Sequence, residues 1–143
     1  MQKTNQDQRL IALLRENARL PISELARRLH VSRTAALARL QRLERDGIIK
    51  GYTVKLSDEY QQGCIKSMVM IKAPPSKRLV IERALAAMPE LLTLYSISGS
   101  FDMTAVVLAP SVSQLDRVID HIGVLPGVEE TQSSVILSTR FER

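Results

Sequence analysis

Apolar positions near the start of the chain recur at the spacing of an amphipathic helix. Thr4 and Asp7, three positions apart, have the spacing of a capping box, and a segment closed by Pro21 interrupts the pattern. The apolar stripe between them consists of Leu10, Leu13 and Leu14. These positions predict a first helix that begins after Thr4 and ends before Pro21.

Two further apolar stripes follow, separated by only a few residues. Their members are Ile22, Leu25, Ala26 and Leu29, and then Ala36, Leu37, Leu40 and Leu43. His30 and Val31 make a short connection, Ser32 is a good N-cap for the later helix, and Gly47 supplies its C-terminal stop. The pattern predicts two short helices joined by a tight turn.

The residues after this third helix favour strand structure. Ile48 and Ile49 precede Gly51, and residues 52–54 continue with Tyr, Thr and Val, which predicts a short hairpin with Gly51 at or near its turn. Two helices joined by a tight turn and followed by a hairpin make a winged helix-turn-helix.

The rest of the chain predicts a small α/β domain. Its strands are predicted at 65–73, 91–98, 101–109 and within 128–141, and its helices after Ser76 and after Ser111 or Ser113. In the first of these helices, one side carries Leu79, Val80, Ala84 and Leu85. The order β-α-β-β-α-β is the split βαβ of the ferredoxin-like fold.

The predicted fold class is therefore α+β, with an N-terminal winged helix-turn-helix followed by a ferredoxin-like βαββαβ domain. The predicted limits are 1–54 for the first domain, 55–63 for a linker and 64–143 for the second domain.

The net positive charge of the chain is located in its first 60 residues. Residues 1–60 hold 12 Lys+Arg and 7 Asp+Glu, which gives +5, whereas residues 61–143 hold 8 of each. A basic half is typical of proteins that bind the phosphate backbone of nucleic acid. The alternative is a solvated helical surface, because arginine is also a good helix former.

Composition excludes several other classes of protein. A hydrophobic content of 45% with 24% charged residues is that of a globular chain. The longest apolar stretch, 103–109, is far shorter than the ~20 residues of a membrane helix, and the polar N-terminus lacks the core of a signal peptide. Cys64 is the single cysteine, and His30 and His121 have no carboxylate at metal-site spacing. We expect a soluble cytosolic protein without a metal or a cofactor, and not an enzyme.

The third predicted helix carries the residues expected to contact DNA. At about 100° per residue, Thr34, Ala35 and Ala38 lie opposite the apolar stripe, and their small size allows close approach to base edges. The long side chain of Arg33 can reach a base or a phosphate from the first turn. The basic residues expected to bind phosphates are Arg39, Arg42 and Arg45, with Arg28 and Lys50 as further DNA-binding positions. A plain three-helix bundle with a solvated arginine face is the alternative.

Three sequence blocks in order resemble a known family. The blocks are ISELA, VSRT and RLERDGIIKGYT, within 22–53. In content and spacing, they closely resemble the Lrp/AsnC family of prokaryotic transcription regulators, and the resemblance extends over nearly the whole chain.

The resemblance implies a sequence-specific, DNA-binding transcription regulator associated with the nucleoid. In that family the second domain, often called the RAM domain, makes a homodimer, assembles to tetramers or octamers, and senses free amino acids. Assembly to octamers would allow the protein to bend or wrap double-stranded DNA.

The resemblance also implies an effector site between subunits. The family's glycine-acid turn is present as SGSFD and its last-strand motif as LPGVEETQS. By resemblance, Gly99 and Ser100 offer backbone N–H groups to a carboxylate, and Asp102 faces an ammonium group. Thr131 and Ser133, two apart on one face of a strand, offer hydroxyls.

This chain departs from the family pattern at two of these positions. Ser100 stands where an acidic residue is common, and Ser133 where threonine is usual. The alternative is that Gly99 serves the positive φ of a hairpin turn and Asp102 caps a turn. Two other functions stay open: an effector-independent architectural protein that bends or wraps DNA, and a sensor whose N-terminal half binds protein.

Overall fold

The computed structural model describes residues 4–142, which divide into two units between Lys55 and Leu56. Within the described range, no helix has the length and apolar character needed to cross a membrane.

The first unit is built from three helices, α1 (Asn5–Glu16), α2 (Ile22–Leu29) and α3 (Arg33–Arg45). The hydroxyl of Thr4 accepts a hydrogen bond from the Asp7 N–H, so the predicted N-cap of α1 is confirmed. The three predicted stripes meet in one core, whose buried members are Leu10, Leu14, Leu25, Leu29 and Leu43.

The hairpin predicted after α3 is wrong, because residues 46–64 contain no strand. The N–H groups of Ile48 and Ile49 both donate to the Leu43 carbonyl, at 2.9 and 3.0 Å. Both side chains are half-buried against the helical core. These β-branched residues therefore close the end of α3 and extend its core, and their backbone groups are not used in strand pairing.

The second unit forms one antiparallel four-stranded sheet with two helices. Its elements are β1 (Ile65–Lys72), α4 (Pro75–Ala86), β2 (Leu91–Ser96), β3 (Met103–Ala109), α5 (Val112–Gly123) and β4 (Glu130–Val135). The strand order is β2-β3-β1-β4, so β2 and β4 are the edges. The predicted ferredoxin-like fold is confirmed.

The helices bury one face of this sheet. Val69 and Ile71 of β1 are fully buried and pack with Ile81 and Leu85 of α4 and with residues of α5. Because side chains alternate along a strand, the residues between them lie on the opposite face. Met68 and Met70 are on that face, where Met68 remains 37% exposed.

Helix α4 packs with a different side from the one predicted. Leu79 and Val80 are 57% and 56% exposed, whereas Ile81 is fully buried with Leu85. Several apolar residues in succession left more than one possible stripe, and packing into the core against the sheet selected the one that contains Ile81.

Candidate DNA-binding surface and effector region

The connection between α2 and α3 is fixed by backbone geometry and a cap. His30 adopts the left-handed conformation, with φ 56° and ψ 43°, and the Val31 N–H donates to the Ala26 carbonyl at 3.0 Å. The Ser32 hydroxyl accepts a hydrogen bond from the Ala35 N–H at 3.1 Å. Together these contacts set the direction in which α3 leaves the turn.

One face of α3 is small and open to solvent. Thr34, Ala35 and Ala38 are exposed there, whereas Ala36 and Leu43 on the other side are buried. A helix with such a face can approach base edges in the major groove closely.

A buried carboxylate joins α1 to α3. Asp7 Oδ1 accepts hydrogen bonds from Arg39 Nη1 at 2.7 Å and from Arg42 Nη2 at 2.6 Å, and only 3% of the Asp7 side chain is exposed. Burial by itself raises the pKa of Asp7, but the hydrogen bonds from Arg42, Arg39 and Thr4 outweigh it and hold this pKa well below its usual value. The carboxylate is therefore ionised and pairs with both arginines.

This pairing changes the expectation for Arg39 and Arg42. Their side chains are only 27% and 35% exposed, and each commits a guanidinium donor to Asp7. Both arginines therefore hold α3 against α1. Their predicted contact with phosphates is limited to the donors that Asp7 leaves free.

A second ion-pair cluster lies on α2. Glu24 accepts hydrogen bonds from Arg27 and Arg28, at 2.6 and 2.8 Å. These bonds lower the pKa of Glu24 to about 2. Arg28, one of the predicted DNA-binding residues, is therefore paired within its own helix.

Three of the predicted DNA-binding residues have charged groups that are less engaged within the chain. Arg33 and Lys50 are exposed, and neither makes a side-chain hydrogen bond or ion pair within the described residues. Arg45 is 75% exposed and lies 3.6 Å from Asp46, which makes a weak surface pair. The structure therefore divides the predicted basic residues into paired and available groups.

The loop between β2 and β3 carries the first part of the predicted effector site. The Ile97 N–H donates to the Asp102 carbonyl at 3.0 Å, which closes the loop, and both Gly99 and Ser100 are exposed. Gly99 has a φ of 117° and open space around it, so the turn by itself requires a residue that tolerates this conformation.

The Asp102 carboxylate faces a cation of its own chain. Its Oδ1 accepts from Arg78 Nη2 at 2.7 Å, and its Oδ2 accepts from the Ala73 N–H at 2.9 Å. Arg78 Nε in turn donates to the Ala73 carbonyl at 3.2 Å. Asp102 therefore ties the loop to the junction of β1 and α4.

The second part of the predicted site lies across β1 from this loop. Thr131 is paired with Ile71 and Ser133 with Val69, and Ile71 pairs on its other side with Met103, next to the loop. Thr131 and the loop therefore share one end of the sheet, but they are separated by two strand spacings of about 4.8 Å each. Within the described residues no hydrogen bond joins the two parts.

Comparison with known proteins matches each of the two units to a known domain family. Residues 3–50 match a family model for a winged helix-turn-helix DNA-binding domain, and residues 66–143 match the model for the Lrp/AsnC ligand binding domain. The HTH-type transcriptional regulator LysM of Saccharolobus solfataricus is 32% identical over 136 residues, which cover 94% of each chain. The protein belongs to the Lrp/AsnC family. It is a DNA-binding transcriptional regulator, and the family consists of regulators, not enzymes.

Solved structures of two regulatory proteins have the same fold. The feast or famine regulatory protein Rv3291c of M. tuberculosis, complexed with L-methionine, is 27% identical, with a TM-score of 0.87 over 96% of this chain and 94% of that one. The regulator NMB0573 of Neisseria meningitidis, in an L-Met complex, is 24% identical, with a TM-score of 0.88 over 99% of this chain and 94% of that one.

Sequence patterns missed two residues that organise this Lrp/AsnC chain. Asp7 is marked by the capping box, but the pattern predicts a local contact and not the pairs with Arg39 and Arg42, which are 32 and 35 positions away. Arg78 carries no motif, and its partner Asp102 is 24 positions away. A lone arginine in a predicted helix gives no signal for such a partner.

Proposed function

We propose that this regulator recognises specific DNA sequences through the exposed face of α3. We propose further that it does so as a homodimer, or as a tetramer or octamer built from dimers, and that a free amino acid bound to its second unit adjusts the affinity for DNA. It acts in the cytoplasm, associated with the nucleoid. The observation that carries the proposal is the exposed, small face formed by Thr34, Ala35 and Ala38.

The size and position of this face allow it to enter the major groove. The face lies in the first half of a 13-residue helix, and recognition helices contact base edges with their N-terminal residues. Ala35 and Ala38 keep the helix axis close to the groove floor, so the Thr34 hydroxyl and methyl groups can contact bases. Arg33 stands beside them, and its guanidinium has no partner among residues 4–142.

Charged residues of α3 and of the segment after it can contact the DNA backbone. Arg33 and Arg45 are the first and last residues of α3, and Lys50 follows the helix in the chain. Phosphate contacts by such residues fix the register of a helix on the duplex. Arg39 and Arg42 support the same surface indirectly, because Asp7 holds them and keeps α3 in place.

Self-association is supported by the sheet face that the helices leave uncovered. Met68, Met70 and Val106 lie on this face with Tyr95, and Tyr95 is 53% exposed. Packing two such faces together would remove apolar surface from water. A dimer would present two recognition helices to half-sites about one duplex turn, or a multiple of it, apart.

A free amino acid is the proposed effector of this regulator. The L-methionine complex of Rv3291c supports an amino acid as the ligand class. One proposed location for the effector is the site predicted from the sequence, whose residues are Gly99, Ser100, Asp102, Thr131 and Ser133. The loop residues of one subunit and the β4 residues of a second subunit would come together there.

DNA recognition is tested by selecting binding sites from a random duplex library. The wild type, Thr34→Ala and Arg33→Ala are compared, with Arg45→Gln as the control for a phosphate contact. We expect Thr34→Ala and Arg33→Ala to change the selected base pattern, whereas Arg45→Gln should weaken binding and leave the pattern unchanged. An unchanged pattern in the first two variants would overturn the proposed recognition face.

One observation favours the alternative of an effector-independent architectural protein. Both oxygens of the Asp102 carboxylate already accept hydrogen bonds, so the predicted ammonium ligand has to share or displace a partner. Binding to DNA in the presence of each of the twenty amino acids distinguishes the two functions. An architectural protein would show the same affinity throughout.

A further inference from the structure

A groove runs between α4 and the edge strand β2, on the helix-covered side of the sheet. Its volume is about 560 Å³, which lies within the range of small-molecule sites. The lining residues that matter here are Arg78, Glu82, Leu85, Leu91, Leu94 and Met103.

The inner wall of the groove is apolar. Leu85 is fully buried and Met103 is 5% exposed, while Leu91 and Leu94 are half-buried along β2. A ligand that reaches this wall would remove from water the apolar surface that Leu91 and Leu94 still expose.

The outer rim carries two opposite charges. Arg78 and Glu82 are four positions apart on α4, so their side chains leave the helix on the same side, one turn from each other. They are not paired, because Arg78 is turned to Asp102, and no group within residues 4–142 hydrogen-bonds the Glu82 carboxylate. Glu82 therefore presents an unused anion to the groove.

The Arg78 guanidinium is fixed by two partners and has further N–H donors available. Its Nε donates to the Ala73 carbonyl, and its Nη2 donates to Asp102 Oδ1. A guanidinium has five N–H donors, so Nη1 stays available to an incoming carboxylate. Asp102 acts here as a positioning residue for Arg78.

We propose that this groove binds an α-amino acid with an apolar side chain. Arg78 binds the carboxylate, Glu82 binds the ammonium group, and the side chain packs against Leu91 and Leu94. The site differs from the loop and β4 residues proposed above, and it lies within one subunit. The inference rests on the proposed function for its ligand class, and it assigns that class a location.

Titration calorimetry with L-leucine and with L-methionine tests the site in the full-length protein. The variant Glu82→Gln removes the anion at an exposed position, and Asp116→Asn makes the same change on an exposed part of α5 as the control. We expect the Kd to rise about tenfold or more in Glu82→Gln, the range for a hydrogen bond to a charged group. Asp116→Asn should bind like the wild type.

A second variant blocks the groove and leaves its charges unchanged. Ala86 is exposed at the end of α4 and lines the groove, so Ala86→Phe should fill it and abolish binding while the fold persists. N-acetyl-L-leucine and L-leucinamide lack the ammonium and the carboxylate, respectively, and neither should bind the wild type measurably.

The outcomes separate this inference from the proposed function. If Glu82→Gln and Ala86→Phe bind leucine and methionine as tightly as the wild type while Thr131→Val does not, the groove is overturned and the intersubunit location is supported. If the wild type binds neither amino acid, the groove is also overturned. The proposed effector function fails only if none of the twenty amino acids changes DNA affinity.

Discussion

Replacement of Asp7 by asparagine is the sharpest test of how the first unit is held together. The change keeps the size of the side chain and removes the negative charge that two arginines share. It leaves Arg39 and Arg42 facing a neutral amide in a site where Asp7 is 3% exposed.

The expected cost follows from the geometry of the site. Two hydrogen bonds to a charged group contribute about 1.5–3 kcal/mol each, and removing one partner of a buried pair costs about 3–5 kcal/mol. Both arginines are about one-third exposed and can turn to water, which reduces the loss. We expect the free energy of unfolding of the first unit to fall by about 2 kcal/mol. For a domain of this size, that corresponds to roughly 8–16 °C in Tm.

Thermal unfolding followed by circular dichroism measures this loss, with the exposed Asp116→Asn as the matched control. The pH dependence of the stability provides a second test of the Asp7 ion pairs. The pKa of Asp7 lies below its unfolded value of 3.8 in the folded protein, so the stabilisation is complete above that pH and is lost as the pH falls through the folded pKa. The difference between wild type and Asp7→Asn should therefore be constant from about pH 5 to 8 and shrink below about pH 4.

Two results would refute this reasoning. One is a loss of stability no larger than that of Asp116→Asn. The other is strict additivity of Asp7→Asn with Arg42→Gln, because residues that share a buried ion pair should show a coupling energy of about 0.5–3 kcal/mol.

Three further predictions concern DNA binding and backbone geometry. Arg45→Gln should weaken binding to every DNA sequence and reduce the slope of log K against log salt by about 1, whereas Arg45→Lys should restore the slope in anisotropy titrations. His30→Gly should raise the free energy of unfolding by up to about 1 kcal/mol in urea, because His30 has a φ of 56°; an unchanged midpoint would mean that its side chain compensates. Gly127→Ala should lower Tm by several degrees, since its φ is 98° and a Cβ would lie 2.5 Å from Lys77 Cβ; Gly123→Ala, with open space around it, should leave Tm within about 2 °C.

Most of the fold could be predicted from local patterns. The three stripes of the first unit each have a buried leucine in the common core, and the βαββαβ order follows from strand and helix periodicity with Pro and Gly at the boundaries. Such signals are short-ranged, because amphipathicity and caps depend on neighbours within a few positions. The small face of α3 was predictable for the same reason.

The wrong predictions concern short apolar runs that are compatible with more than one local structure. Ile48 and Ile49 have strand propensity, but the open end of the helical core and the Leu43 carbonyl accommodate them instead. Leu79 and Val80 fit one helical stripe and Ile81 another, and packing into the core of the sheet determines which stripe is buried. Tertiary packing overrides propensity in both cases.

Local patterns in the sequence were sufficient to predict the family, the helix-turn-helix, the order of strands and helices along the chain, and the residues of the exposed small face. How the charges are used follows from the tertiary structure. Arg39 and Arg42 pair with Asp7, Arg78 pairs with Asp102, and Glu82 lines an apolar groove with no partner among the described residues. The reason is that periodicity is a local property of the chain, whereas an ion pair depends on which distant residues the folded backbone brings within about 3 Å.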